Sequence, residues 1–331
     1  MGTSGNEHAG LSRSVPAPSL RYLPLRWYYD LLDTWRARDP EQLRATIAVV
    51  GSPRSGTTWL GDVVAALASR PLLHEPTHVN RIPEFNRDHG WDGRPFREPG
   101  VPDEALARDL ERLITGTYLG AGMIQRSPSI DRALWARAPL VTKMIDVNLL
   151  LPWLAGALPW LTTVLIVRHP LAVVASQQAR ADSVWAKYRT LSLSYQRFMA
   201  AHPEYDGPLE YDTVEERLTA AWAIEHAWLR DRAEDLGRLV QVRYEDIRAE
   251  PQAGVRALAA ALSLPEPSPT VLERALRPSR SVNEDTSTLG GGADDGWRSA
   301  YDARTVDRLI PILDHYGFPF YGPEALGFGD G

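Results

Sequence analysis

The chain has 331 residues, which is enough for one large α/β domain or two small ones. Its net charge of −6 argues against a general nucleic-acid-binding protein, and the absence of cysteine excludes disulfides, thiolate metal sites and a cysteine nucleophile. No apolar run approaches the roughly 20 residues of a membrane span, and residues 1–20 lack the apolar core of a secretory signal. We therefore expect a cytoplasmic protein with no transmembrane segment and no nucleic-acid partner.

The N-terminal part of the chain contains two segments of different composition. Residues 1–20 are rich in Gly, Ser, Pro and Ala with little to bury, so we predict a disordered tail there and a single domain over residues 21–331. Residues 20–35 carry many large apolar side chains and predict a helix. This helix either packs on the core or binds a membrane surface or a partner.

Residues 46–60 read T-I-A-V-V-G-S-P-R-S-G-T-T-W-L and predict a strand, a tight loop and a helix. Ile47–Val50 is an apolar run rich in β-branched residues, typical of a buried parallel strand. Gly51 and Gly56 bound the loop, and apolar residues recur at helical spacing after it. Unpaired N–H groups at a helix start favour anions, and glycines let the backbone wrap closely around a phosphate. The segment therefore predicts a phosphate-binding loop.

This loop departs from the nucleotide-hydrolase pattern G-x-x-x-x-G-K-[ST] at one position, because Thr57 stands where the lysine belongs. The nearby cation is Arg54, inside the loop. An ATP-dependent P-loop small-molecule kinase is the alternative interpretation, but such an enzyme would use a lysine where Thr57 stands to hold its phosphates. A non-catalytic nucleotide-binding protein of the same fold is a second alternative.

The rest of the chain alternates between strand and helix patterns. We predict strands at Leu72–His74, 139–144, Thr162–Val167 and 239–243, and helices at 103–115 with Asp103 as cap, 149–158, from 171 onwards, 183–200, 213–236, 251–262 and 304–316. Residues 81–102 and 283–297 are predicted loops. This alternation predicts the α/β class, with a P-loop-like parallel sheet flanked by helices on both faces.

Charged residues follow several of these strands. Arg168 ends the strongest apolar strand, where an arginine is costly unless it meets an anion. Ser176 lies eight positions further on, about two helical turns along the next helix. Two anion sites at two strand ends are what a nucleotide phosphorylated at two positions needs. The alternative is an arginine that pairs with a carboxylate.

Three of these motifs resemble the sulfotransferase family, which uses 3′-phosphoadenosine 5′-phosphosulfate (PAPS) as donor. The run P-R-S-G-T-T-W-L resembles the family's 5′-phosphosulfate loop, and Arg168 with Ser176 resembles its 3′-phosphate site. The run E-P-T-H that begins at Glu75 resembles the carbohydrate sulfotransferase branch, in which that glutamate is the proposed base. The resemblance implies a sulfotransferase fold and release of 3′-phosphoadenosine 5′-phosphate (PAP).

Other positions match the family less completely. Lys143 resembles the lysine of the K-T-H segment, which touches the leaving group, but Ile145 replaces the histidine base of that segment. This departure strengthens Glu75 as the base, with Asp146 as the alternative. Tyr244 begins a Y-E-D segment that resembles the one near adenine. The basic residues that normally open the loop over the nucleotide are absent, and a glycine run stands there instead, in which backbone N–H groups could bind the 3′-phosphate.

The resemblance gives one set of predicted roles. The catalytic residues are Glu75, Arg54 and Lys143, and no metal is expected. The donor-binding residues are Arg54, Ser55, Gly56, Thr57, Thr58, Trp59, Arg168, Ser176, Tyr244, Gly290 and Gly291, with a core position as the alternative for Trp59. The acceptor is a hydroxyl of a glycan, a lipid or a secondary metabolite, and aromatic residues are expected near it: Trp91, Phe96, Trp185 and Tyr188.

Overall fold

The computed structural model describes residues 40–79, 82–118, 138–179, 193–205, 211–276, 297 and 300–319. Several sequence predictions lie outside these ranges: the tail over residues 1–20, the helix over 20–35, and the donor contacts of Gly290 and Gly291. Within the described ranges no helix combines the length and the hydropathy that crossing a membrane requires.

The described residues contain a five-stranded parallel sheet. Its strands are β1 (Ile47–Val50), β2 (Leu72–His74), β3 (Val141–Met144), β4 (Thr162–Val167) and β5 (Arg238–Arg243), and their order across the sheet is β2-β3-β1-β4-β5. Ile47 aligns with Val141 on one side and with Thr162 on the other. All five strands were predicted from apolar runs, with starts that shift by no more than two residues. β1 lies at the centre of the sheet and is buried at every position, in agreement with its uniformly apolar sequence.

Helices precede and follow these strands along the chain. They are α1 (Pro40–Leu43), α2 (Thr57–Leu67), α3 (Pro83–His89), α4 (Glu104–Ile114), α5 (Leu151–Ala157), α6 (Pro170–Gln178), α7 (Leu193–Ala201), α8 (Val214–Asp231), α9 (Tyr244–Ala249), α10 (Pro251–Ala261), α11 (Pro269–Leu276) and α12 (Ala303–His315). Short 3₁₀ turns occupy Asn148–Leu150, Pro203–Tyr205 and Ala233–Leu236.

Both faces of the sheet are covered by apolar cores. Ala48 and Val50 belong to the core on one face, which includes residues of α4, α5, α7, α8 and α12. Ile47 and Val49 belong to the core on the other face, with residues of α2, α10 and α11. Successive strand residues point to opposite faces, so a strand without polar interruptions fits this arrangement. The predicted α/β architecture, with a parallel sheet and helices on both faces, is confirmed.

Local capping explains where several helices begin. The Asp103 side chain accepts from the N–H of Leu106 at 3.1 Å and starts α4, as predicted. Thr213 starts α8 through a capping box with Glu216.

The structure differs from the sequence prediction at several places. The short helices α1, α9 and α11 were not predicted, and the part of the helix predicted over 183–200 that precedes Leu193 lies outside the described residues. Residues 81–102 were predicted to be a loop, but α3 forms within them because Pro83 lies at its first turn and Gly90 ends it with φ of 61°. The helix predicted over 213–236 ends at Asp231, and the 3₁₀ turn Ala233–Leu236 then leads to Gly237 with φ of 64°.

Candidate active site

The predicted site residues form a row along one edge of the sheet. Glu75 follows β2, Lys143 lies near the end of β3, Arg168 follows β4 and Tyr244 follows β5. Residues 51–56, which we call the phosphate loop, follow the central strand β1. Since all five strands are parallel, their carboxyl ends meet at the same edge, which is where ligands bind in sheets of this class. The strand order therefore places the phosphate loop between Lys143 and Arg168.

The phosphate loop has the backbone geometry of an anion cradle. Arg54 and Gly56 both have positive φ, 72° and 100°, and the N–H and Oγ of Ser55 both donate to the Ser52 carbonyl, at 3.1 and 2.7 Å. A Cβ on Gly56 would come 2.7 Å from the Tyr244 ring, so only glycine fits there. α2 starts directly after the loop, and its cap residue Gly56 has no side chain that could bind the first N–H groups of the helix. These N–H groups point toward the loop.

Three predicted residues meet on the β3 side of the phosphate loop. Lys143 Nζ lies 2.5 Å from Oε1 of Glu75 and 3.1 Å from Oγ1 of Thr58. The Glu75 N–H also donates to the Lys143 carbonyl at 2.7 Å. The lysine side chain is 5% exposed and the glutamate side chain 15% exposed, so their attraction is poorly screened by water.

The backbone of Glu75 is itself unusual, with φ of 44° in the left-handed region. Non-glycine residues in this region are uncommon and are often found at functional sites. His78 N–H donates to the Glu75 carbonyl at 3.1 Å, which closes a turn around Glu75. The turn fixes the Glu75 carboxylate against Lys143. The alternative base Asp146 lies two residues beyond β3 and is 6% exposed.

The predicted 3′-phosphate residues meet on the β4 side of the phosphate loop. Arg54 Nε donates to Ser176 Oγ at 3.0 Å, and Arg168 Nη1 donates to the Arg54 carbonyl at 3.1 Å. The Arg168 guanidinium lies 4.5 Å from the centre of the Tyr244 ring, and its buried Nε has no hydrogen-bond acceptor among the described residues. The Arg168 guanidinium therefore lies against the backbone of Arg54, and the Arg54 side chain lies against the Ser176 hydroxyl. This arrangement suits a doubly charged anion such as a phosphate.

Trp59 has the contacts of a core residue. It is 4% exposed, and its indole N–H donates to the Ala275 carbonyl at 3.2 Å. Its ring meets Tyr244 edge to face at 5.9 Å between centroids. These contacts agree with the core position given as the alternative, and stacking of Trp59 on adenine stays a prediction. Thr57 is also buried, at 3% exposure, on the first turn of α2.

The aromatic residues expected near the acceptor are partly explained by packing. Trp91 and Phe96 are 4% and 9% exposed and belong to the core, and the Trp91 indole N–H donates to the Thr77 carbonyl at 3.0 Å. Both side chains pack in the core, and their place near the acceptor stays a prediction. Trp185 and Tyr188 lie outside the described residues.

The sequence did not reveal several contacts that support the site, although Trp297 stands in a segment that resembles the end of the family's loop over the nucleotide. The His169 N–H donates to Oε1 of Glu245 at 2.8 Å, and the Trp297 ring stacks on His169 with 4.7 Å between centroids. Gln177 Nε2 donates to the Pro53 carbonyl at 2.7 Å and holds the phosphate loop from below. The Y-E-D segment already drew attention to Glu245, but its partner is 76 positions away in sequence and no local pattern indicates it.

The chain belongs to the sulfotransferase family, since the profile of that family matches residues 46–268. Solved structures similar to it include the sulfotransferase domain of the curacin biosynthetic pathway, with 18% identity over 81% of this chain and 96% of that one and a TM-score of 0.42. The sulfotransferase domain of the Synechococcus PCC 7002 olefin synthase shares 18% identity over 82% and 94%, with a TM-score of 0.41. Mouse sulfotransferase SULT7A1, solved with PAP, shares 13% identity over 84% and 86%, with a TM-score of 0.40. No curated protein sequence matches the chain significantly.

Proposed function

We propose that this sulfotransferase takes its sulfuryl group from PAPS and transfers it to a hydroxyl group of a small-molecule, lipid or glycan acceptor. The observation that carries the proposal is the pair of separate polar groups on either side of the phosphate loop. Arg54, Arg168 and Ser176 lie on one side, and Lys143 with Thr58 lies on the other. A nucleotide with phosphates at its 3′ and 5′ positions needs two such groups, whereas ATP carries its phosphates in one chain.

The residues present fit this donor. The N–H groups at the start of α2 would hold the 5′-phosphosulfate, with the hydroxyls of Thr57 and Thr58 as further donors. Ser55 was also predicted as a donor, but its N–H and hydroxyl both donate to the Ser52 carbonyl, so its part is to shape the loop. Arg168 and Ser176 would hold the 3′-phosphate, and the buried Nε of Arg168 supplies a donor that has no acceptor within the described residues. When bound, PAPS supplies an activated sulfuryl group on its 5′-phosphate.

We assign the transfer of the acceptor proton to Glu75. A general base must carry negative charge beside the reacting hydroxyl, and Lys143 stabilises that charge at Oε1. When the carboxylate takes the proton, its charge is neutralised and the Lys143 ammonium is no longer offset by it. The positive charge of Lys143 can then stabilise the negative charge that develops on the departing 5′-phosphate, near Thr58, as the bond between sulfur and that phosphate breaks. Arg54 was predicted to act in the same electrostatic way, but its Nε donates to Ser176 on the other side of the phosphate loop, so we assign it to the 3′-phosphate together with Arg168.

Thermal unfolding distinguishes this donor from the kinase alternative. A ligand that binds only the folded state raises the melting temperature, so PAP should raise it more than ATP with magnesium does. Equal shifts from the two nucleotides would contradict the assignment of Arg168 and Ser176 to a 3′-phosphate. Transfer of labelled sulfuryl from PAPS to a panel of hydroxyl compounds then separates an enzyme from a non-catalytic nucleotide-binding protein. A protein that binds PAP but labels no acceptor in that panel favours the non-catalytic alternative.

A further inference from the structure

A second ionic cluster lies beneath the phosphate loop, away from the residues assigned above. It consists of Ser52, Arg94, Asn148 and Glu225, and we call it the Glu225 cluster. Ser52, Asn148 and Glu225 are each 0% exposed, and the whole of Arg94 is 2% exposed. The members come from four different parts of the chain: the phosphate loop, the loop after α3, the 3₁₀ turn before α5, and α8.

One carboxylate organises this cluster. Arg94 Nη1 lies 2.6 Å from Oε1 of Glu225, and the other oxygen, Oε2, accepts from Asn148 Nδ2 at 3.0 Å and from Ser52 Oγ at 3.4 Å. Asn148 Nδ2 also donates to Ser52 Oγ at 3.1 Å. Ser52 is the second residue of the phosphate loop, so Glu225 holds the loop directly and again through Asn148.

A fully buried ion pair is an expensive way to stabilise a core. Removing two charges from water costs several kcal/mol for each ion, and apolar side chains of similar volume often replace such pairs without loss of stability. What the pair provides here is a fixed position for polar groups that a packed apolar contact would not orient. The Ser52 hydroxyl is one such group, and its backbone carbonyl in turn receives both the N–H and the Oγ of Ser55.

The same cluster reaches the turn that carries Glu75. Trp91 lies three residues before Arg94, and Thr77 lies two residues after Glu75. The Trp91 indole N–H donates to the Thr77 carbonyl. The segment Trp91–Arg94 therefore touches the Glu75 turn at one end and Glu225 at the other. Through it, the cluster joins the donor side of the site to the residue assigned as base.

We infer that Glu225 is a positioning residue: its buried carboxylate fixes the phosphate loop through Ser52 and sets it relative to the Glu75 turn through Arg94. This inference rests on the proposed function for its consequence in donor binding. Its structural part, the fixed phosphate loop, can be measured without any donor.

The cleanest variant is Ser52→Ala, which leaves the Arg94–Glu225 pair intact and removes only the link to the loop. We expect amide hydrogen exchange in residues 53–58 to become about tenfold faster, and PAP to bind about three- to tenfold more weakly, at a melting temperature close to that of the parent. Thr219→Val is the matched control. Thr219 is 0% exposed on α8, the helix of Glu225, and its hydroxyl has no hydrogen-bond partner among the described residues.

A second pair of variants separates positioning from stability. Glu225→Gln leaves the Arg94 charge buried without its counter-charge and should lower the melting temperature strongly. The double variant Arg94→Met/Glu225→Leu removes both charges and also the acceptor for Ser52 and Asn148, so it should regain much of that stability while the phosphate loop still exchanges fast. If fast exchange disappears together with the instability, Glu225 acts only on stability and the inference is wrong.

Unchanged exchange of residues 53–58 in Ser52→Ala, relative to Thr219→Val, would also overturn the inference. Failure of the proposed function looks different in the same experiment. A parent protein that does not bind PAP at all contradicts the assignment of the donor, and the exchange data still decide whether Glu225 holds the loop.

Discussion

The ammonium of Lys143 lies 2.5 Å from the carboxylate of Glu75, although the two residues are 68 positions apart in sequence. His74, just before Glu75, aligns with Lys143 across β2 and β3. The parallel pairing of these two strands therefore brings the proposed base and the proposed leaving-group lysine together. Thr58 joins them from α2, so both sides of the proposed transfer share one cation.

Glu75→Gln tests the base. The substitution keeps the size of the side chain and removes its basicity, so turnover with PAPS should fall by about a hundred- to ten-thousand-fold. PAP affinity measured by calorimetry should stay near that of the parent, because the phosphate loop and Arg168 are untouched. Asp146→Asn is the paired control and should cost much less. A Glu75→Gln enzyme that keeps more than about a tenth of the parent rate would rule out general-base catalysis by Glu75.

Arg168→Ala tests the 3′-phosphate site. The loss of a hydrogen-bonded charge should weaken PAP binding by about 1.5–3 kcal/mol. Adenosine 5′-phosphate, which lacks the 3′-phosphate, is the matched ligand and should bind parent and variant about equally. Calorimetry with both nucleotides therefore isolates the 3′-phosphate. Equal PAP affinities for parent and variant would mean that the 3′-phosphate is bound elsewhere.

Gly56→Ala tests the shape of the phosphate loop. The added Cβ would lie 2.7 Å from the Tyr244 ring, and φ of 100° is strained for any residue with a side chain. We expect a lower melting temperature and no measurable PAP binding. Gly156→Ala in α5 is the control, since its Cβ meets no atom of the described residues within 4 Å and alanine is the better helix former by about 0.5–1 kcal/mol. Retained PAP affinity in Gly56→Ala would show that the loop tolerates a side chain.

The capping box of α8 gives a prediction for pH. Burial alone would raise the pKa of Glu216, but hydrogen bonds from Thr213 and the charge of Arg308 outweigh it and hold the pKa below the ordinary 4.5. A carboxyl whose pKa is lower in the folded state stabilises the fold above its ordinary pKa and loses that effect as the pH falls through the folded value. Glu216→Gln should therefore lower the free energy of unfolding at pH 7, and its stability should converge on that of the parent as the pH falls through the folded pKa of Glu216.

Urea unfolding at several pH values measures this difference directly. PAP affinity at pH 7 should be the same in Glu216→Gln and the parent, because Thr213 and Glu216 lie at the start of α8 and do not contact the phosphate loop. A difference in stability that persists unchanged to pH 3 would contradict the assigned role of the Glu216 charge.

Local patterns predicted the framework of this protein. Uninterrupted apolar runs predicted β1 and β4 at their observed bounds, since a strand buried on both faces admits few polar side chains. Asp103 predicted one helix start, and Asp212 or Thr213 predicted a second, which proves to be capped by Thr213; both could be predicted because a cap acts on N–H groups within three residues. The phosphate loop could be read for the same reason, because its glycines and the helix behind it are contiguous.

Other features of the structure depend on contacts between residues that are far apart in sequence or on context that local patterns do not supply. The role of Gly90 in ending α3 was missed, because Pro83 and Gly90 stand among five other prolines and glycines in residues 81–102 and a helix of seven residues has little apolar periodicity. Glu225 gave no signal at all in the sequence, since its partner Ser52 is 173 positions away and a glutamate on a long helix is usually solvated.

The sequence by itself determined which chemical groups the protein offers. They are a loop that can hold a phosphate, an arginine at the end of one strand, and a glutamate and a lysine near the ends of two other strands. Strand order and helix packing decided which of these groups meet. The order β2-β3-β1-β4-β5 sets Glu75 and Lys143 on one side of the phosphate loop and Arg168 on the other, and packing of α8 under the sheet brings Glu225 to Ser52. Backbone propensity acts over a few residues, whereas these contacts depend on the burial of two apolar cores from distant parts of the chain.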